Sequence, residues 1–289
     1  MKKISSVNVS NLTLAFWLIA GLSGCGGGTG ASLGSSTTSG STSGGSTSGG
    51  STSGGSTSGG STSGGTTSTS SPEGLWQGTT NMSQDVTGIV LDNGDYWFLY
   101  SIPGNSNAIG GVIQGNATSN AGTITSSNGR DFNITEDMLY DISSLQGTYT
   151  AKSTLSGKIT YADMPNSMVT FDSTYNADYA KTPTLSALTG TYAGEAATSE
   201  GTESAITNIS STGQIIGTAA SGCKFTGTAT PRSSGNVYNV TVTFNNEICT
   251  NNGTQVSGVA YFDSSTQQLY SAALNSTRTD GFLFIGAKE

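Results

Sequence analysis

Any chemistry in this chain would have to run on carboxylates. The 289 residues contain no histidine, which removes Ser-His-Asp and Cys-His nucleophile arrangements and the side chain most used for proton transfer near neutral pH. No P-loop or strand–GxGxxG–helix unit occurs. A pair of acids could still cleave a glycoside, because that reaction needs only two carboxyl groups at a set separation. The candidates are Asp92 with Asp95, Glu136 with Asp137, Asp131, and Glu247. Asp92-Asn93-Gly94-Asp95 could also offer oxygens to calcium, but no EF-hand spacing follows it. Solvated turn and helix-end positions account for all of these acids. The expectation is therefore a non-enzyme with no cofactor and no metal.

The elements that would carry such residues read as strands. After Pro72, short apolar or alternating runs are separated by turn residues every eight to twelve positions, the spacing of a β-sandwich or barrel. Residues 87–91 and 96–100 flank Asp92-Asn93-Gly94-Asp95, where Asn-Gly signals a hairpin whose turn residues accept positive φ. Residues 135–143 are the one helical candidate. In Tyr96-Trp97-Phe98-Leu99-Tyr100, alternation places Tyr96, Phe98 and Tyr100 on one face and Trp97 and Leu99 on the other. One face would fill a core and the other pack under a loop or a second lobe. If instead a face is exposed, Tyr96, Trp97, Phe98 and Tyr100 form a candidate binding patch. Trp76 is expected in a barrel floor.

The first residues have the pattern of an export signal. Lys2 and Lys3 precede an apolar run over residues 12–22, which is too short to span a bilayer and has the length of a signal-peptide core. Leu22-Ser23-Gly24-Cys25 follows directly, and the whole of residues 1–25 resembles the lipobox signal of bacterial lipoproteins. That resemblance implies cleavage before Cys25 and acyl chains on it, enough for stable membrane anchoring. Gly26 stands where an Asp commonly retains family members at the inner membrane, so the resemblance implies the outer membrane, on its periplasmic face or the cell surface. Export would place Cys223 and Cys249 in an oxidising compartment, where a disulfide is the default and two buried thiols the alternative.

Removing residues 1–24 takes away two lysines and no acid, so the balance becomes eight basic against eighteen acidic side chains, or −10. No basic cluster occurs, and the counterion release that drives nucleic-acid binding is missing. Residues 26–71 are nearly all Gly, Ser and Thr, with five copies of Ser-Thr-Ser-Gly-Gly over residues 41–65. So little apolar surface cannot offset ordering entropy, and a tether with a span of roughly 35–40 Å is expected.

Four landmarks recur in order beyond the tether. Gly74-x-Trp76-x-Gly78 matches Gly190-x-Tyr192-x-Gly194; the turn at Gly94 matches one at Gly213; residues 112–118 match 224–230; and residues 156–161 match 257–262. They divide the chain into a signal (1–24), a lipidated cysteine and linker (25–71), and two β lobes (72–183 and 184–289). A third Gly-Thr-Tyr, at Gly147-Thr148-Tyr149, raises a restart of the first lobe as another arrangement. The fold class expected is all-β, with two tandem antiparallel meander or up-and-down barrel-like lobes; one larger sandwich is the alternative. A Gly-x-Trp/Tyr-x-Gly opening strand leading a meander resembles the small barrels of lipocalin-like and avidin-like domains. It also resembles the barrel domains of Gram-negative surface lipoproteins of the transferrin-binding and factor H-binding types. These readings converge on a membrane-anchored, non-catalytic binding protein engaging a protein, glycan or small-molecule ligand. A structural envelope component and a carboxylate-dependent glycoside hydrolase are the alternatives.

Overall fold

The computed structural model describes residues 71–289; the export signal, Cys25 and nearly all of the linker lie outside the described residues. Two eight-stranded antiparallel barrels follow one another along the chain. The first comprises β1 (Gly74–Thr80), β2 (Asp85–Val90), β3 (Asp95–Ile102), β4 (Asn105–Asn116), β5 (Thr118–Asn120), β6 (Thr123–Ser126), β7 (Arg130–Asn133), β8 (Met138–Thr150), β9 (Thr154–Tyr161) and β10 (Met168–Asn176). β5 extends β4, and β6 and β7 lie along one edge of β8, pairing with its second and first halves respectively. Counting β4/β5 and β6/β7 as single strands, each strand pairs with the next, and β10 closes the ring on β1. After a 3-10 turn at Ala177–Ala180 and one helical turn, α1 (Leu185–Leu188), the same meander begins again.

The second barrel runs β11 (Gly190–Thr198), β12 (Gly201–Ile209), β13 (Gln214–Ala219), β14 (Lys224–Pro231), β15 (Tyr238–Phe244), β16 (Gln255–Asp263), β17 (Gln268–Leu274) and β18 (Gly281–Lys288), with β18 closing on β11. Closure leaves neither barrel an open ladder edge, the feature that otherwise invites aggregation. Among the described residues no helix is long and apolar enough to cross a membrane.

Three of the four landmarks fall on equivalent strands: β1 with β11, the β2–β3 turn with the β12–β13 turn, and β4 with β14. The turns are alike in detail. Gly94 N–H donates to Leu91 C=O and Leu91 N–H to Asp95 C=O; Gly213 N–H donates to Ser210 C=O and Ser210 N–H to Gln214 C=O. Each glycine then receives on its own carbonyl the N–H of Ala117 or Ala229 at the end of the equivalent strand. Gly94 has φ +86° while Asn93 keeps an ordinary negative φ, so the turn is a type I turn followed by a left-handed glycine rather than one with two positive φ values.

The fourth landmark does not hold: residues 156–161 lie on β9, the seventh strand, and residues 257–262 on β16, the sixth. Gly147-Thr148-Tyr149 lies within β8 and is no restart. Residues 135–143 are not helical. They form a hairpin turn and the start of β8, because Asp137 sits at φ +54° and ends any helical path.

The barrels dock through a shared apolar cluster. Leu75, Trp97, Leu99 and Val112 of the first barrel share one cluster with Val259, Tyr261, Leu283 and Ile285 of the second. Polar links surround it. Ile109 N–H donates to Glu195 Oε1 at 2.9 Å, Arg232 pairs with Asp92 at 2.7 Å, and Arg130 and Arg278 each donate to a carbonyl of the opposite barrel at 2.7 Å.

Candidate functional site

The two lumens differ. The second is filled through its middle: Phe225, Phe244 and Phe282 pack ring on ring, with centroids 4.9–6.4 Å apart, and the void among its inward side chains is about 20 Å³. The first is packed only at one end. There Trp76, fully buried, donates its indole N–H to Pro72 C=O at 2.9 Å, and Tyr96, Ile124, Leu145 and Leu155 fill the ring around it. Toward the other end a cavity of about 330 Å³ remains, near the lower limit of small-molecule sites. Its mouth lies between the β1–β2, β3–β4, β7–β8 and β9–β10 turns, represented by Met82, Pro103, Glu136 and Met164.

The walls are Val86, Phe98, Ile113, Ile159, Val169 and Phe171, which alternation turns inward from β2, β3, β4, β9 and β10. Glycines make room for the rings. A Cβ at Gly157 would stand 2.8 Å from the Phe171 ring, and one at Gly88 or Gly111 would overlap Phe98 or Tyr100.

Asp131 sits in this lining at 2% exposure. β7 holds it: Arg130 points out to Asp141 at 3.1 Å, Phe132 packs into the inter-barrel cluster, and Asp131 between them faces the lumen. Tyr100 donates its hydroxyl to Asp131 Oδ1 at 2.7 Å and Tyr161 to Oδ2 at 2.8 Å. Burial pushes the carboxyl up to about 6, and the two hydroxyls counter only part of that. Burial, together with the neighbouring carboxylate, holds both tyrosines well above the ordinary phenol range. Nearer the mouth Tyr140 donates to Glu136 Oε2 at 2.5 Å, and that bond pushes its hydroxyl up to about 12. The Tyr140 and Tyr161 rings meet edge to face at 5.6 Å.

The remaining candidate residues are placed as follows. Cys223 and Cys249 form a disulfide joining the β13–β14 turn to the β15–β16 loop. Cys25 lies outside the described residues. Tyr96, Trp97, Phe98 and Tyr100 are all at most 9% exposed, so they form no outward patch. Tyr96 belongs to the packed floor, Trp97 faces the second barrel, and Phe98 and Tyr100 line the cavity. The reason is that β3 has the lumen on one side and the second barrel on the other.

Among the acids, Asp92 pairs with Arg232 and Asp95 is bonded within its own turn region to Asn93 and Asn116. Asp137 occupies the left-handed turn position and Glu247 is exposed. Only Asp131 and Glu136 come together. Tyr140 and Tyr161 had no signal in the sequence, since alternating strands are rich in tyrosine and nothing marks which of them meets an acid.

No protein-family model matches the chain, and no curated protein sequence matches it. Among solved structures it is similar to the isotype 1 transferrin binding protein B of serogroup B Neisseria meningitidis, at 11% identity over 72% of this chain and 66% of that one, with a TM-score of 0.28. It is also similar to a Bacteroides fragilis protein provisionally assigned to the outer membrane (14%, 75% and 96%, TM-score 0.23) and to the Myxococcus xanthus hemagglutinin solved with a mannopentaose (17%, 77% and 97%, TM-score 0.15). The chain thus spans less than two thirds of the transferrin-binding protein. Scores of this size carry no residue correspondence, and the functional reading rests on the chain's own geometry.

Proposed function

We propose that this is a lipid-anchored cell-envelope protein whose first barrel binds a small ligand in its lumen, without turning it over. The observation that carries the reading is the asymmetry of two barrels built alike: the second is filled, while the first keeps a cavity of about 330 Å³ with apolar walls and a buried carboxylate. A buried acid in a barrel that served only as a spacer would add desolvation cost with no return. Anchoring through Cys25, outer-membrane placement and a reach set by the Gly/Ser/Thr linker rest on the lipobox resemblance and the linker composition.

The test is a ligand-observed NMR screen of a small-molecule library against wild type and Val169→Trp, which plugs the cavity wall. Hits that bind wild type and not the variant support the reading; an identical hit list overturns it. Anchoring is tested by comparing wild type with Cys25→Ala. The variant is expected to leave the membrane fraction, and protease added to intact cells then tells surface display from a periplasmic position.

A second reading has one observation in its favour. Asp131 and Glu136 share a cavity, and an acid held near 6 could serve as a proton donor. Both Asp131 oxygens are occupied by tyrosine hydroxyls, which argues for binding. Release of nitrophenol from aryl glycosides, lost in Asp131→Asn, would reverse that choice.

A further inference from the structure

We infer that the lumen of the first barrel selects a small organic cation, an alkyl- or arylammonium whose apolar body lies along Phe98 and Phe171 and whose charged end faces Asp131. The inference rests on the reading of that lumen as a ligand site and adds the chemical class of the ligand.

Three observations carry it. First, the charged side chains lining the cavity are Asp131 and Glu136, both acids, and among the described residues no lysine or arginine lines it. Second, the protons near the acids are already committed. Tyr100 and Tyr161 give theirs to the two oxygens of Asp131, and Tyr140 gives its to Glu136. What these five groups can still offer a ligand is lone pairs, because a phenol oxygen accepts after donating and a carboxylate oxygen accepts more than once. Such a surface rewards a donor-rich, positively charged head and repels an anion. Third, the walls are aromatic as well as apolar. Phe98 and Phe171 meet with centroids 5.4 Å apart, and the rings of Tyr140 and Tyr161, whose hydroxyls bond the acids, lie 5.6 Å from each other, so a cation entering past them gains the attraction of ring faces. At about 330 Å³ the cavity admits a single-ring or short-chain amine.

The charge state of Asp131 adds a pH signature. The groups facing it are Tyr100 from β3, Tyr161 from β9, and Glu136 and Tyr140 from the β7–β8 turn and β8. All of them are neutral or negative in this range, so none competes with an incoming cation. A cation stabilises the ionised carboxyl, and affinity should weaken as pH falls through about 6.

The experiment uses three probes of nearly one shape, 3-phenylpropylammonium, 3-phenylpropan-1-ol and 3-phenylpropanoate. They are titrated calorimetrically into the exported full chain carrying Cys25→Ala. The ammonium is expected to bind at least tenfold more tightly than the alcohol at pH 7.5, with the carboxylate weakest. Asp131→Asn should remove that preference while leaving alcohol binding in place. Glu136→Gln, on an exposed turn where folding is not at risk, should reduce the preference by about threefold. Equal or tighter binding of the alcohol or carboxylate overturns the cation inference and leaves the lumen site standing. An ammonium preference that survives both substitutions places the cation elsewhere and also overturns it. If no probe binds and Val169→Trp leaves the library screen unchanged, the lumen reading itself fails.

Discussion

Asp131 makes a sharp prediction about stability. The carboxyl is 2% exposed and titrates near 6 in the folded chain, against 3.8 for the free side chain. At about 1.4 kcal/mol per tenfold change, that gap corresponds to about 3 kcal/mol. The sign follows from linkage. Well below 3.8 the acid is neutral in both states and its contribution is intact. As pH rises, the unfolded chain sheds the proton first, so the folded state loses ground until its own carboxyl ionises near 6. Above about 7 the loss is complete and constant. Asp131→Asn carries no titrating proton and can still bond both hydroxyls, since Tyr161 or Tyr100 can turn to accept from the amide. The difference in unfolding free energy between wild type and variant should therefore move by about 2 kcal/mol in favour of the variant between pH 4 and 7, the rest having been lost below pH 4. Urea unfolding followed by tryptophan fluorescence suits the measurement, because Trp76 and Trp97 both lie on the first barrel. Acids of the opposite kind cancel in the difference. Asp263, for example, is pushed up by burial but pulled below its ordinary value overall by bonds from Ser265 and Thr266. A difference flat from pH 4 to 7, or one that favours wild type as pH rises, would show that burial does not dominate at Asp131.

Other perturbations test the frame around the site. Replacing Cys223 and Cys249 by Ala frees a loop of 26 residues, and thermal unfolding should show a loss of about 3 kcal/mol that reductant reproduces in wild type. Trp97→Ala empties a position shared by both barrels; a cost of about 3–5 kcal/mol in chemical denaturation is expected, with the lumen probes still bound by the folded fraction. Glu195→Ala orphans the buried N–H of Ile109, which should cost about 1–3 kcal/mol, while Glu195→Gln keeps the acceptor and most of the stability.

The all-β class and the paired meanders were legible in the sequence because they rest on local signals. Alternation, Gly-x-Trp/Tyr-x-Gly and the turn at Gly94 are each contained within a few residues, and Gly213 repeats the same turn. The failures were also local. Residues 135–143 mimic a helical turn because Glu136 and Asp137 sit before Met138 and Leu139, yet the left-handed Asp137 feeds β8 directly. The match of residues 156–161 to 257–262 slipped by one strand because neighbouring strands of one barrel share the same Gly and Tyr texture. The site was legible only in pieces: Asp131 and Glu136 among six candidate acids, and Phe98 and Tyr100 within a candidate outward-facing patch. Its partners Tyr100 and Tyr161 lie 31 and 30 residues from Asp131, and they meet through barrel closure, a register that no single strand encodes.

What separates the two lumens is a matter of which side chains the shared ring turns inward. The second barrel stacks Phe225 and Phe282 with centroids 4.9 Å apart, leaving no room for a ligand. The first turns Tyr96, Phe98 and Tyr100 inward from a single strand. Tyr96 bonds Ser126 and joins the floor, Phe98 lies against Phe171, and Tyr100 reaches across to Asp131. A leucine at position 131 would seal the ring with apolar contact and spare the desolvation, as hydrophobic replacements of buried polar groups often do. An acid there costs the fold about 3 kcal/mol at neutral pH by the linkage above. That cost argues that the carboxyl serves something other than packing, and the lone pairs it presents to an open cavity argue that the something is a cationic ligand.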